Sequence, residues 1–350
     1  MTAEQNKPGP TVPAAHDGIL AQKEESASSG GLPFSGWTPF IAGALSGLLL
    51  RLMFSGSPGS ALSAMAAGFV WFAPFAVGAI TVYAAERQKR RSFAYYLFAP
   101  TLATFVFVLG SLVILIEGLI CAIVILPMFS LLGMLGGLVM GLVCRLTNWP
   151  KQAVYSIAAL PLLVAMAFPQ NQVQRMGSVE RSVLIQATPA EVWRQINDAR
   201  GIKPAEVQHA WAYRIGVPLP VSGITTHTAE GPIRKSTWGK GVHFDEVIRQ
   251  WEPQRHVRWT YRFAEDSFPA GALDDHVKVG GTYFDLRDTS YTLTPEEGGT
   301  RLHIRVSYRI STDFDAYANW VAQRLLGNFS EVILDMYKAR SEHTGDAALS

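Results

Sequence analysis

At Pro169 the chain changes solvent. From about Gly36 to Phe168 nearly every residue is apolar, whereas beyond it charge and hydrophobe alternate as they do in a water-soluble domain. A bilayer demands long runs with few charges, since a spanning helix needs ~20 apolar residues to cross ~30 Å of hydrocarbon. The pattern predicts a transmembrane bundle over 35–168 and a soluble domain over 178–342, with irregular tails at 1–34 and 343–350. The first tail is rich in Pro, Ala, Ser, Gly and Glu, and lacks the charged-then-apolar pattern of a secretory signal.

Five helices can be drawn in the apolar half: Trp37 to Phe54, Ala61 to Ala84, Phe93 to Ile116, Leu119 to Cys144 and Gln152 to Phe168. Short cytoplasmic loops carry the excess of Lys and Arg. Arg87, Lys89, Arg90 and Arg91 therefore place the second loop in the cytoplasm, and Arg145 and Lys151 place the fourth there too. With five crossings the N-terminus is cytoplasmic and the soluble domain lies on the far side of an inner membrane. If the fifth segment only lies along the interface, the domain is cytoplasmic instead.

Gly133, Gly137 and Gly141 recur every fourth residue, a spacing that lets helix backbones approach closely. They serve packing inside the bundle or, in the alternative, a homodimer. Apart from Glu86 at the head of the basic loop, Glu117 is the single acid within the apolar stretch, and Arg51 is its one basic candidate at the same membrane face. At a helix end, Glu117 reads as an interfacial turn or ion pair rather than an ion pathway.

The net charge of +2 hides an uneven split, because the excess of bases lies before Pro169 and beyond it acids and bases nearly balance. The soluble half thus lacks the basic excess of a nucleic-acid binder. Both cysteines, Cys121 and Cys144, fall in apolar segments, which leaves the soluble half without a disulfide or a thiolate metal site.

In that half Val179 to Ile185 alternates as a strand and runs into Thr188-Pro-Ala-Glu191, a helix-starting capping box. A Gly- and Pro-rich passage, Gly201 to Gly231, follows. Ile233 to Trp238, Val242 to Trp251, His256 to Phe263, Tyr283 to Leu293 and Thr300 to Ile310 read as antiparallel strands with one wet face. A single amphipathic helix closes the chain from about Asp313 to Arg340, its apolar positions recurring at three and four. The fold class is an α-helical transmembrane bundle followed by an α+β domain whose long last helix packs on an antiparallel sheet.

The order of these elements, the opening Val183-Leu-Ile-Gln-Ala-Thr-Pro-Ala-Glu-Val-Trp193, the block Gly241-Val-His-Phe-Asp-Glu-Val-Ile-Arg-Gln-Trp-Glu-Pro253 and Gly299-Thr-Arg-Leu302 resemble the SRPBCC superfamily. That is the helix-grip group containing START lipid-binding domains and polyketide cyclase-like proteins. The resemblance covers about Val179 to Glu342. It implies a deep apolar cavity between sheet and long helix for a hydrophobic small molecule, and it implies no particular reaction.

Aromatic residues are dense at positions read as inward-facing. Trp211, Tyr213, Trp238 and Phe244 are candidate cavity walls, as are Trp259, Tyr261, Tyr291 and Trp320, since Tyr and Trp offer an apolar wall with a polar tip. The long segment from Ala264 to Gly281 carries Asp274-Asp-His276. Asp275 and His276, with Tyr283 beyond, are the candidate acid and base groups. A solvated loop is the bland reading, and no histidine stands at the spacing a metal site needs. Arg258, Arg262, Arg301, Arg305 and Arg309 share the outer sheet face and read as solvated.

No cofactor motif is present. The preferred reading is a non-enzymatic, membrane-anchored protein that binds a lipid-like or aromatic molecule. The alternatives are a cyclase or hydratase using the same cavity, and a ligand-sensing domain that regulates the bundle.

Overall fold

A computed structural model of the chain describes residues 36–147, 153–167, 174–229, 231–274 and 276–348. The N-terminal tail, Lys151, the boundary at Pro169 and Asp275 lie outside the described residues.

Five apolar helices come first: α1 (Thr38–Met53), α2 (Ala67–Glu86), α3 (Phe93–Val113), α4 (Leu119–Leu146) and α5 (Ala153–Ala167). Three of these, α2, α3 and α4, are long and apolar enough to cross a membrane. The others have 16 and 15 residues, which at 1.5 Å per residue is ~24 and ~22 Å against ~30 Å of hydrocarbon. Helix α5 still runs antiparallel along α2. Its Pro161 and Ala165 lie on Gly68 near the start of α2, and Ile157 packs with Ala79 and Tyr83 towards its end. The second helix begins later than its apolar sequence suggests, because Ser57 to Ala66 is spent on a succession of tight turns (Ser60 N to Ser57 O, Ser63 N to Ser60 O, Ala66 N to Ser63 O).

The glycine seam of α4 is filled by the same chain. Gly133 meets Gly78 of α2 backbone to backbone, Gly137 meets Pro100, and Gly141 lies on the Tyr96 ring. A side chain at Gly78 would have no space, so these residues set how closely α2 and α4 approach. The basic residues gather at one end of the bundle. There Arg145 donates to Tyr96 Oη at 3.0 Å and to the Arg91 carbonyl at 3.1 Å, while Tyr96 Oη and the Arg91 amide donate to Glu86.

The second half is one eight-stranded antiparallel sheet wrapped against a long helix. Its elements are β1 (Arg175–Ile185), α6 (Pro189–Asn197), β2 (Asp198–Ala199), α7 (Pro204–Val207), α8 (Trp211–Arg214), β3 (Pro220–Thr228), β4 (Gly231–Trp238), β5 (His243–Glu252), β6 (His256–Arg262), β7 (Phe284–Glu296), β8 (Gly299–Ile310) and α9 (Asp315–Ala348). The strand order is β1-β8-β7-β6-β5-β4-β3-β2. The capping box opens α6 as its sequence predicts, with the Glu191 amide donating to Thr188 Oγ1 and the Thr188 amide to the Glu191 carboxylate.

Two features go beyond the elements drawn from the sequence. The Gly- and Pro-rich passage holds two short helices and the strand β3; its leading Pro220 is tolerated because β3 has only the two-residue β2 beyond it. The last helix runs on to Ala348.

Burial follows the alternation. In β8, Leu302, Ile304, Val306, Tyr308 and Ile310 are all buried; the first three share a core with Ile333, Leu334, Met336 and Tyr337 of α9, and the last two pack with Ala318, Ala322 and Leu326. The outer-face arginines are paired. Arg258 binds Asp288, Arg262 binds Asp245, Arg301 binds Glu296 and Arg305 reaches Glu180, while Arg309 donates to the carbonyls of Gly281 and Thr282.

Candidate ligand cavity

The curl of the sheet leaves its concave face too far from α9 to be filled by side chains, and a cavity of about 320 Å³ remains. Its sheet wall is aromatic. Trp238, Phe244, Trp259, Tyr261 and Tyr291 all line it, and α9 contributes Leu325, Phe329, Ile333 and Met336. The volume falls at the lower end of the ~300–1,000 Å³ typical of small-molecule sites.

Three aromatic residues expected in the wall are elsewhere. Tyr213 is buried in the solid core, edge-on to Trp238 and Phe329. Trp211 is 57% exposed at the start of the short α8, with Arg214 over its ring. Trp320 is 53% exposed. The inward stripe of α9 runs through Ala318, Val321, Ala322, Leu325 and Phe329, and Trp320 is out of phase with it, stacked instead on Tyr317.

Two charged residues that the sequence reading passed over sit within the apolar wall. Arg234 of β4 and Glu246 of β5 are register partners and form a buried ion pair. Arg234 also donates to Ser236 Oγ at 3.0 Å and to the Ile196 carbonyl at 3.0 Å, and its guanidinium lies over the Trp259 ring. Burial opposes the charge on Arg234 most strongly, but the Glu246 carboxylate together with Tyr337 and Tyr291 outweighs it, and the guanidinium holds its proton more tightly than usual. Burial pushes the Glu246 carboxyl up, and Arg234 pulls it part of the way back. Burial likewise raises the phenols of Tyr261, Tyr291 and Tyr337 nearby, so they are neutral hydrogen-bonding groups. The signal for this pair was legible, since Glu246 is in phase with the inward Phe244 and Ile248, where a half-wet strand has no reason to place a charge.

The cavity continues down to the apolar helical bundle. Arg51, Ser111 and Glu117 line it, as do Phe69, Phe107 and Phe129, whose rings pack with centroids 5.9 to 6.5 Å apart. Arg51 pairs with Glu117 and donates to the carbonyls of Phe54 and Ile116. The domain is seated there by specific contacts. Asp313 accepts from the Ala67 amide at 2.9 Å, satisfying a free donor at the start of α2. Phe314 is buried in the bundle core, and Tyr317 Oη donates to the Val124 carbonyl at 2.6 Å.

Of the three candidate acid and base groups, the structure brings two to this junction. His276 lines the cavity with Nε2 at 3.9 Å from the Glu117 carboxylate, and its buried Nδ1 has no hydrogen-bond partner among the described residues. Tyr283 Oη lies 2.6 Å from Ser63 Oγ and accepts from the Gly59 amide at 2.9 Å. Asp275 is outside the described residues, but its neighbour Asp274 accepts from the Cys121 amide at 3.2 Å. No cluster of three potential metal ligands occurs among the described residues.

A sheet gripping a long helix over an apolar cavity defines the helix-grip class. Residues 176–342 match the family model described as polyketide cyclase / dehydrase and lipid transport, and the C-terminal domain is of this SRPBCC type. Among solved structures, a Mesorhizobium loti protein is 19% identical, with 48% of this chain and 98% of that one covered and a TM-score of 0.27. The Zhui aromatase/cyclase of Streptomyces sp. R1128 is 12% identical, covering 50% and 98%, with a TM-score of 0.30. A Thermus thermophilus protein is 19% identical, covering 48% and 99%, also at 0.30. No curated protein matches.

Proposed function

We propose that this chain is a membrane-anchored binding protein that holds a hydrophobic small molecule in the helix-grip cavity without changing it chemically. The observation that carries this reading is the wall itself, apolar and aromatic, with its two charged pairs, Arg234–Glu246 and Arg51–Glu117, each internally compensated. A dry, neutral polar spot orients an uncharged hydroxyl or carbonyl group, whereas a ligand with its own charge would enter a site whose charges are already paired. The Tyr283 hydroxyl already has two partners from the bundle, which suits a positioning role better than proton transfer.

The basic cluster of Arg87, Arg91 and Arg145 lies at the end of α2, α3 and α4 away from the domain, since the other end of α2 is the one Asp313 caps. By the positive-inside rule that end is cytoplasmic and the cavity extracytoplasmic.

The test is native mass spectrometry of the full-length protein released gently from membranes. An adduct of constant mass that dissociates on activation is the expected result. Repeated recovery of empty protein that also fails to take up hydrophobic probes would overturn the proposal.

A second reading, a cyclase- or hydratase-type enzyme, has one observation in its favour: the buried Nδ1 of His276 at the cavity wall, without a partner among the described residues. It requires that the adduct recovered from His276→Ala differ in mass from that of the wild type.

A further inference from the structure

The cavity is not contained by the helix-grip domain. Its walls run without interruption from Trp259 and Phe329 in the domain to Phe107 and Phe129 in the bundle, so the membrane helices form the floor of the chamber. Phe107 lies six residues before the end of α3, ~9 Å down the helix at 1.5 Å per residue. The floor is therefore inside the apolar layer, on the domain-facing side. Helix α4, with 28 residues, is ~42 Å long and exceeds the ~30 Å hydrocarbon thickness. Its surplus length lets its first turns stand against the domain.

The rim between α3 and α4 has two opposite faces. Glu117 turns in to the cavity and to Arg51, while Val113, Ile114, Leu115 and Leu119 turn outward, Leu115 being 87% exposed. Leu115 has a φ of 58°. A left-handed conformation is uncommon for a residue with a Cβ, so the tertiary setting is holding it there. A run of exposed, partly strained apolar residues is unsuited to water, but next to a membrane it meets acyl chains. The exposed Trp320 and the Trp71 indole, which donates to the Asp313 carbonyl, fit the same level, where tryptophan sits at the bilayer interface.

Resting on the binding function proposed above, we infer that the ligand enters from the bilayer, over the Leu115 rim and along the Phe107–Phe129 floor, and is an uncharged lipid with a single chain or ring system and a hydroxyl or carbonyl group. At about 320 Å³ the cavity is small for a two-chain phospholipid. The compensated Arg51–Glu117 and Arg234–Glu246 pairs disfavour a carboxylate or phosphate along the whole route.

The experiment uses the full-length protein in phosphatidylcholine vesicles that contain hexadecanol bearing a mid-chain diazirine and a terminal alkyne. After brief illumination, labelled peptides are expected from both the floor around Phe129 and the domain wall around Phe329. Leu115→Glu places a charge on the exposed rim without touching the core. It is expected to leave the unfolding midpoint unchanged and to slow the appearance of label at Phe329 several-fold. Hexadecanoic acid with the same reporters is expected to label the domain weakly.

Label at Phe329 with none at Phe129, or an L115E rate equal to that of the wild type, would overturn bilayer entry while leaving the binding function intact. Equal labelling by the acid would overturn the uncharged class. An absence of label in the domain, with empty protein by mass spectrometry, would instead remove the binding function itself.

Discussion

Tyr283, at the end of the long loop before β7, shares a 2.6 Å hydrogen bond with Ser63 in the turn before α2. Residues 220 positions apart in the chain thereby fix the mouth of the cavity over the bundle. Asp313 on the Ala67 amide and Asp274 on the Cys121 amide tie the same junction at two further points.

Tyr283→Phe keeps the ring and removes both bonds of the hydroxyl. Loss of the hydrogen bonds to the Ser63 hydroxyl and the Gly59 amide costs about 1–2 kcal/mol. The expected outcome is a lower unfolding midpoint in detergent and faster amide exchange over residues 264–281, with the mass of the bound adduct unchanged. An altered adduct would assign Tyr283 a chemical role.

Arg234→Met leaves Glu246 as an uncompensated buried acid. Breaking such a pair from one side costs ~3–5 kcal/mol, whereas replacing both partners with apolar residues of similar volume is often neutral. R234M is therefore expected to be strongly destabilised and R234M/E246L to recover much of the loss. The double variant should also lose selectivity for ligands with a hydroxyl or carbonyl group, which competition between an alcohol and its parent hydrocarbon measures.

Gly78→Val forces a branched side chain into the Gly133 backbone. Overpacking of this kind typically costs ~1–3 kcal/mol. The variant is expected to lower the unfolding midpoint and broaden the profile in size-exclusion chromatography, whereas Leu131→Val, at an exposed position of the same α4, is expected to do neither.

Glu206 of α7 is clamped by Arg340 of α9 through bonds of 2.6 and 2.8 Å, and this bonding lowers its carboxyl pKa. A pKa lower in the folded than in the unfolded state means that the unfolded state binds protons first. The contribution is thus present above the unfolded value of ~4.3 and is lost as the pH falls through the lower folded value. The difference in unfolding midpoint between wild type and Glu206→Gln should be largest near neutral pH and shrink as the solution is acidified past about pH 4.

Much of the fold is visible in local pattern. The strict alternation of Leu302, Ile304, Val306, Tyr308 and Ile310 places β8, and Thr188 with Glu191 starts α6, because both signals act over a few residues of chain. The cavity was only half legible. Trp238, Phe244, Trp259, Tyr261 and Tyr291 follow from strand phase, but Trp320 was misplaced because a long helix presents its stripe at an angle set by what it packs on. Strand β3 was missed because Pro220 and Gly223 read as loop residues, and its place beside the short β2 is settled by pairing with β4.

By itself the sequence determined that a run of apolar helices precedes an α+β domain, since hydropathy and periodicity are properties of adjacent residues. It also offered Glu117 and Arg51 as a pair. Tertiary structure decided that this pair, His276 and Tyr283 meet at one junction, and that the cavity has a floor of apolar helices. Those facts depend on how two separately legible halves dock, and docking is fixed by a few long-range hydrogen bonds and one buried Phe314, none of which leaves a period in the chain.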